Sequence, residues 1–349
     1  MGKMRAQRLY GPGDLRWMEI ETPDLSENDV LIRVKYCGIC GTDRAIYSGE
    51  SSFWASGLIR TPMTMGHEYS GIVEAVGRKV TAFKPGDRVV GDMAVSCGIC
   101  DSCRRGDYMA CKKIRSVGTI HAYDGAYAEY TVMPERHTLA LPDGISFKQG
   151  ALVEPVAQAL NSIRMSHIRF GENVLIIGTG PIGLGAIPFA VLSGAKKVML
   201  AGRQDFKLEL GKKFGADVVI NTTKENLYEN VMQLTDGDGP DVIIEASGSL
   251  DMLREAIDMV NYAGRIACVA FYEKEMDHID IDHLIVREIR LIPVLGAPNM
   301  EPVAIKMMQS GKVDFTPMIT QIVPLRDAEA ALKGMSSNSS SRIKTMLEV

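Results

Sequence analysis

Val174-Leu175-Ile176-Ile177-Gly178-Thr179-Gly180-Pro181-Ile182-Gly183 decides how the second half of the chain folds. Four apolar residues read as a short strand, three glycines follow in G-x-G-x-x-G spacing, and a helical pattern begins at once. Gly178 permits the tight turn, Gly180 lets backbone amides approach a pyrophosphate, and Gly183 lets the helix pack close to the strand. Pro181 and Ile182 stand at the helix start, where unpaired N–H groups and a partial positive charge face the phosphates. A glycine pattern by itself is weak evidence. This one sits between a strand and a helix inside a longer strand-helix alternation, with further strands at 197–201, 218–220, 242–245 and 265–269 and helices at 181–193 and 205–214. The expectation is an α/β chain with a parallel, doubly wound dinucleotide-binding domain at 153–290.

Upstream the texture differs. Residues to about 152 are rich in Val, Gly and Pro, with short alternating runs at 30–34 and 126–132 and a Lys84-Pro85-Gly86-Asp87 turn leading into 88–90. This reads as an irregular antiparallel β domain. The tail 291–349 is too short for a third domain and is expected to return to the first, so that 1–152 and 291–349 form one unit. The stretch 336–341 is a brief polar loop. The chain has 349 residues, which fits two domains. Its net charge of -4 argues against nucleic acid or an anionic membrane as partner. No uninterrupted apolar stretch is long enough to span a bilayer. The first residues lack the apolar core of a signal peptide, and Ala6 stands where a myristoylation signal needs Ser or Thr, so a cytoplasmic protein is expected.

Seven cysteines need an explanation, because disulfides are rare in a reducing compartment. Cys97, Cys100, Cys103 and Cys111 follow C-x2-C-x2-C-x7-C spacing in the loop 97–111. Two-residue gaps let neighbouring thiolates converge on one ion, and four thiolates suit a closed, structural zinc site. An iron–sulfur cluster is the alternative, although no proline follows the last cysteine and the gaps differ from ferredoxin runs. Cys40, His67, Glu68 and Glu154 are a second, scattered set. One thiolate, one imidazole and one carboxylate would make an open zinc site, but spacing alone does not join them.

The second strand of the dinucleotide domain ends in Gly202-Arg203, with no acid where an NAD site places Asp or Glu. A carboxylate repels a ribose 2′-phosphate; a glycine leaves it room, Arg203 can bind it bidentately, and Lys207 lies one helical turn on. NADP preference is the expectation, with NAD still open. An exposed Arg203 with no ligand, or Asp205 holding the ribose, are the competing readings.

Taken together, the Cys40 segment, Gly66-His67-Glu68, the four-cysteine loop, Gly125–Tyr130, Val153-Glu154-Pro155 and the glycine turn resemble the zinc-dependent medium-chain dehydrogenases over essentially the whole chain. Glu154 is similar to the glutamate of the sorbitol and threonine dehydrogenase branch. The resemblance implies a GroES-like β domain plus a Rossmann domain, a homodimer or homotetramer, and two zinc ions per chain. It implies that Cys40, His67 and Glu154 surround the catalytic zinc with Glu68 as an alternating ligand, and that Cys97, Cys100, Cys103 and Cys111 hold the structural one. Thr42 corresponds to the residue that carries the hydroxyl proton away. Asp43 is expected to orient His67, a turn-stabilising role being the alternative. The implied reaction interconverts an alcohol, polyol or sugar alcohol and its carbonyl with NADP. An NAD-dependent threonine or sugar-phosphate dehydrogenase is the alternative, and a non-catalytic dinucleotide-binding protein a remote one. Two departures separate this chain from relatives: Ala45 stands where many carry the histidine that ends a proton relay, and Gly296-Ala297 replaces the Arg-Tyr of sorbitol dehydrogenases. The segment 50–60, with Phe53, Trp54 and Arg60, is read either as a pocket-shaping loop or as packing.

Overall fold

The structure is a computed structural model that describes residues 2–121, 123–336 and 341–349; most of the polar loop expected at 336–341 lies outside the described residues. The chain divides into two compact units, Met1–Glu154 with Glu301–Val349, and Pro155–Met300.

In the second unit a parallel sheet of six strands is built around Asn173–Ile177. Lys197–Gly202 and Val218–Asn221 lie on one side; Val242–Glu245, Arg265–Cys268 and Arg290–Pro293 lie on the other. The central strands are continuous apolar runs because helices cover both faces, and Leu175, Met199, Ile243 and Ile266 are buried together. The order reverses beside Asn173–Ile177, the topological switch point at which such sheets bind ligands. The expected boundary at 290/291 is corrected. Arg290–Pro293 pairs in parallel register with Arg265–Cys268 and belongs to this sheet. It is an edge strand with half-exposed side chains, so its sequence lacks the apolar run that marked the inner strands.

In the first unit Asp29–Gly38 is the central strand, pairing with Glu68–Val76, Tyr130–Pro134 and Lys344–Glu348. The last of these, together with Ile319–Pro324, brings the tail back into the first unit. Lys3–Gly11, Asp14–Glu21 and Met63–Thr64 make a smaller sheet. The run 126–132 is not one strand. Regular pairing starts at Tyr130, Ala128 makes only a bridge to Ala6, and Ala126 and Tyr127 donate to the carbonyls of Gly66 and Met65. The cause is Gly125, packed so closely that a Cβ there would lie 2.2 Å from the Gly66 carbonyl oxygen. The segment 50–60 contains the short helix Ser52–Ala55, whose Phe53 and Trp54 pack on the core of this unit. Trp54 Nε1 donates to the Ile46 carbonyl at 2.8 Å, which favours the packing reading.

Candidate metal centres and dinucleotide turn

Cys40 is the N-cap of the helix Gly41–Ser48, just past the end of Asp29–Gly38. His67 immediately precedes the paired strand Glu68–Val76, and Glu68 opens it. This antiparallel pairing puts Gly38 opposite Glu68, so Cys40, His67 and Glu68 present ligand atoms all within 4.8 Å of one another. Asp43 fixes the arrangement. Its Oδ2 accepts the Cys40 backbone N–H at 2.9 Å and the Tyr127 hydroxyl at 2.9 Å, while Oδ1 faces His67 Nδ1 at 3.6 Å. That last separation is an ionic contact rather than a hydrogen bond. Asp43 Oδ1 and His67 Nδ1 face each other without a hydrogen bond, and the His67 ring also interacts with the Cys40 side chain. Thr42 is half-buried in the first turn of the same helix.

Glu68 has a partner that the sequence did not suggest. Lys344 Nζ donates to both Glu68 carboxylate oxygens at 2.7 Å and to the Ile39 carbonyl at 3.1 Å. Both side chains are buried. Burial opposes the Lys344 charge, but Glu68, Cys40 and Glu154 outweigh it and hold the ammonium above its ordinary pKa. His67 behaves alike: burial disfavours the imidazolium, yet Asp43, Cys40 and Glu154 push its pKa well above the ordinary value. For Asp43 burial wins, and its pKa is raised. The cluster therefore gathers the acidic side chains of Cys40, Glu68 and Glu154 around Lys344 and His67, with Asp43 buried beside His67. A divalent ion is the neutralising charge this donor set lacks, and the mix of sulfur, nitrogen and carboxylate oxygen suits zinc. Glu154 lies outside the mutual 4.8 Å set but acts electrostatically on both His67 and Lys344. Glu68 occupies the place within the set where the resemblance puts Glu154.

Cys97, Cys100, Cys103 and Cys111 form the other group, with all sulfurs within 4.8 Å of one another. Cys97 and Cys103 Sγ are 3.9 Å apart, Cys100 and Cys103 Sγ 3.4 Å apart. A tetrahedral ion with Zn–S of about 2.3 Å sets its sulfurs about 3.8 Å apart, so these residues fit zinc. Backbone N–H groups already point at the sulfurs: Cys97 N–H and Lys113 N–H donate to Cys111 Sγ at 3.5 and 3.4 Å. Backbone N–H groups of Ile99 and Cys100 hold the Cys97 thiol well below its ordinary range, favouring the thiolate a metal binds.

In the second unit each glycine of the turn has a distinct constraint. Gly178 has φ +110°, and a Cβ there would lie 2.8 Å from Ala246 C. At Gly183 a Cβ would meet the Gly178 carbonyl oxygen at 2.0 Å. Gly180 has ordinary φ and nothing within 4 Å of a Cβ, so its missing side chain leaves open space at the N-cap of the helix Pro181–Leu192. Pro181 takes the first helical position, with Ile182 beside it in the first turn. Gly202 is tight for a different reason from the one expected: a Cβ would lie 2.4 Å from Thr179 Cγ2. Arg203 is exposed and Lys207 half-buried. Burial, then the Arg203 charge, hold Lys207 below its ordinary pKa. Among the described residues neither cation has a carboxylate within ion-pair distance. Asp205 faces other groups: Oδ1 accepts Asn221 Nδ2 at 2.6 Å and Oδ2 pairs with Lys224 at 2.6 Å.

Residues 26–143 match the alcohol dehydrogenase GroES-like domain, and residues 181–310 match the zinc-binding dehydrogenase domain. L-threonine 3-dehydrogenase of Pyrococcus abyssi (strain GE5 / Orsay) is 35% identical over 349 residues, covering 99% of this chain and 98% of that protein. The chain belongs to the zinc-dependent medium-chain dehydrogenase family. It is thus an alcohol-dehydrogenase-type, NAD(P)-binding enzyme with a GroES-like and a Rossmann-type unit. Two solved structures share this fold over their full length. A Sinorhizobium meliloti 1021 protein, assigned as a zinc-binding dehydrogenase and bound to NADP, is 29% identical with a TM-score of 0.92, each chain covered to 100%. An Escherichia coli CFT073 alcohol dehydrogenase complexed with NADH is 28% identical with a TM-score of 0.91, again with 100% of both chains covered. Solved structures of nearly equal likeness thus hold either nucleotide. No helix among the described residues is long and apolar enough to cross a membrane.

Of the residues singled out in the sequence, Cys40, Asp43, His67 and Glu68 come together around one point, the four loop cysteines around another, and the glycines with Arg203 and Lys207 at the end of the parallel sheet. Lys344 and Tyr127 were missed. Lys344 opens the short strand Lys344–Glu348, and a lysine at a strand start leaves no distinctive trace in the sequence.

Proposed function

We propose that this enzyme interconverts a secondary alcohol, polyol or sugar alcohol and its carbonyl, with NADP as the preferred hydride carrier. The observation that carries the cofactor choice is Arg203 directly after the strand Lys197–Gly202 with Lys207 in the following helix, neither of them ion-paired to a carboxylate among the described residues. Like charges brought together cost free energy unless an anion joins them, and a ribose 2′-phosphate is that anion in the Rossmann setting. Asp205 already accepts from Asn221 and pairs with Lys224, which draws its carboxylate toward those groups.

Cys40, His67 and a glutamate, Glu154 or Glu68, would hold the catalytic zinc, and Cys97, Cys100, Cys103 and Cys111 the structural one, two ions per chain. A zinc ion in the open site supplies Lewis acidity that lowers the pKa of a substrate hydroxyl. Thr42 would relay the hydroxyl proton, passing on its own hydroxyl hydrogen as it takes up the substrate's. Asp43 keeps His67 in a single ring orientation, Tyr127 keeps Asp43 in place, and Lys344 holds the Glu68 carboxylate back. Gly180 would leave a pyrophosphate room at the helix N-terminus, whose free N–H groups would bind it. With Ala45 in place of a relay histidine, the proton leaves Thr42 by the cofactor ribose or by water.

A second reading, a threonine dehydrogenase working with NAD, is favoured in its substrate by the relatives, the Pyrococcus abyssi protein being an L-threonine 3-dehydrogenase. Catalytic efficiency with NADP and with NAD across secondary alcohols, polyols, sugar phosphates and L-threonine separates the two. NAD equal to or better than NADP overturns the cofactor assignment; L-threonine as best substrate overturns the substrate class. The assembly is a homodimer or homotetramer. The edge strand Arg290–Pro293 offers unpaired backbone groups to a second copy, and Ile281, Ile285 and Val286 are exposed in the same unit at 58%, 66% and 68%.

A further inference from the structure

Beneath the four-cysteine loop lies a buried polar network that the chemistry above does not use. Ser96 immediately precedes Cys97, and Tyr108 stands three residues before Cys111. Ser96 backbone N–H donates to His137 Nε2 at 3.1 Å, and Ser96 Oγ lies 3.2 Å from the same nitrogen. His137 Nδ1 lies 3.3 Å from Asp92 Oδ2, which also accepts the Tyr108 hydroxyl at 2.8 Å. Asp92 Oδ1 accepts Ala94 N–H at 2.9 Å, and Arg136 Nη2 donates to the Ser96 carbonyl. The Tyr108 and His137 rings meet edge to face at 5.8 Å.

The side-chain order serine, histidine, aspartate is that of a hydrolytic triad, but the chemistry differs. Ser96, His137 and Asp92 are all buried, so no substrate reaches the serine. A backbone N–H can only donate, so His137 Nε2 carries no proton and Nδ1 must, which directs Nδ1–H to Asp92. With Nε2 accepting the backbone N–H, the Ser96 hydroxyl lies between that nitrogen and the Cys103 side chain, with which it also interacts.

We propose that Asp92, His137, Ser96 and Tyr108 form a positioning strut for the four-cysteine site. It ties both ends of the loop to the β unit and supplies the Ser96 hydroxyl as a donor to the Cys103 sulfur. The proposal rests on reading the loop as a zinc site. The strut sets how tightly zinc is kept, because it holds the thiolates in place rather than leaving the ion to organise them. Partners of this kind change metal affinity by about 10–100-fold when removed.

The test is chelator-driven zinc release from the purified full-length protein, followed with a zinc-responsive dye, for wild type, His137→Gln, Asp92→Asn, Tyr108→Phe and Ser96→Ala. The expected result is loss of the loop zinc about tenfold or more faster in His137→Gln and Asp92→Asn, with the other zinc unchanged. Ser96→Ala and Tyr108→Phe are small deletions that keep the fold in hand. In cobalt-substituted protein Ser96→Ala shifts the sulfur-to-metal charge-transfer bands, and Ser96→Thr, which keeps the hydroxyl, restores them; general loosening moves no such band. Release rates and spectra identical to wild type overturn the strut. A Cys103→Ser protein that keeps the full wild-type zinc content overturns the zinc reading of the loop itself, and the strut with it.

Discussion

Replacing Lys344 by Met tests the buried electrostatics of the open cluster most sharply. Lys344 makes two 2.7 Å bonds to Glu68, and the two side chains are 2% and 1% exposed. Methionine keeps most of the stem's volume but leaves the Glu68 carboxylate buried and unpaired. Breaking a buried pair from one side costs about 3–5 kcal/mol. In a unit of about 200 residues, that lowers the melting temperature by roughly 10 °C. Adding Glu68→Gln removes the orphaned charge, so the double variant recovers most of the loss, a coupling of about 2–3 kcal/mol. Thermal and urea unfolding of the four proteins, each stripped of metal and reloaded, gives the cycle. Lys344→Met is hurt less when metal-loaded, because the ion then supplies the positive charge that Glu68 has lost. A loss below about 1 kcal/mol in the stripped protein, or additive single effects, would refute the claim that Lys344 balances Glu68.

Further outcomes follow from individual contacts. Gly180→Ala leaves thermal stability nearly unchanged, because its Cβ enters open space, but weakens dinucleotide binding about tenfold or more in a fluorescence titration. Gly183→Ala loses stability as well, by roughly 1–3 kcal/mol, because its Cβ overlaps the Gly178 carbonyl; equal behaviour of the two variants would undo this division of labour. Arg203→Ala lowers the NADP-to-NAD ratio of kcat/KM by roughly 10–100-fold, the worth of a charge-assisted phosphate bond, and an unchanged ratio shows that another group reads the phosphate. Trp54→Ala lowers the melting temperature with KM unchanged; a KM effect without destabilisation would instead make the 50–60 segment part of the pocket.

Legibility in the sequence followed the range of the interaction. The glycine turn and the cysteine loop are local, so their spacing carried both the geometry and the chemistry. Asp43 was readable as a partner for His67 only through the resemblance, since its Oδ2 also caps Cys40, three residues back, as a turn residue does. Lys344 and Glu68 are 276 residues apart, and no local pattern joins them. Arg290–Pro293 was assigned to the wrong unit because an edge strand exposes one flank and loses the apolar run of its neighbours. The 126–132 segment alternates like a strand, yet the close approach of Gly125 to Met65 and Gly66 diverts its first half into bonds with that loop.

The central claim is that the chain carries two metal sites with different work, one open at Cys40, His67 and a glutamate, the other closed at Cys97–Cys111. Zinc content measured beside turnover, for wild type and Cys40→Ser, tests it most directly. About two zinc ions per chain are predicted in the wild type, and about one in Cys40→Ser, with turnover lost but the fold retained. A Cys40→Ser protein that keeps its full zinc content, or that turns over as fast as wild type, would contradict it.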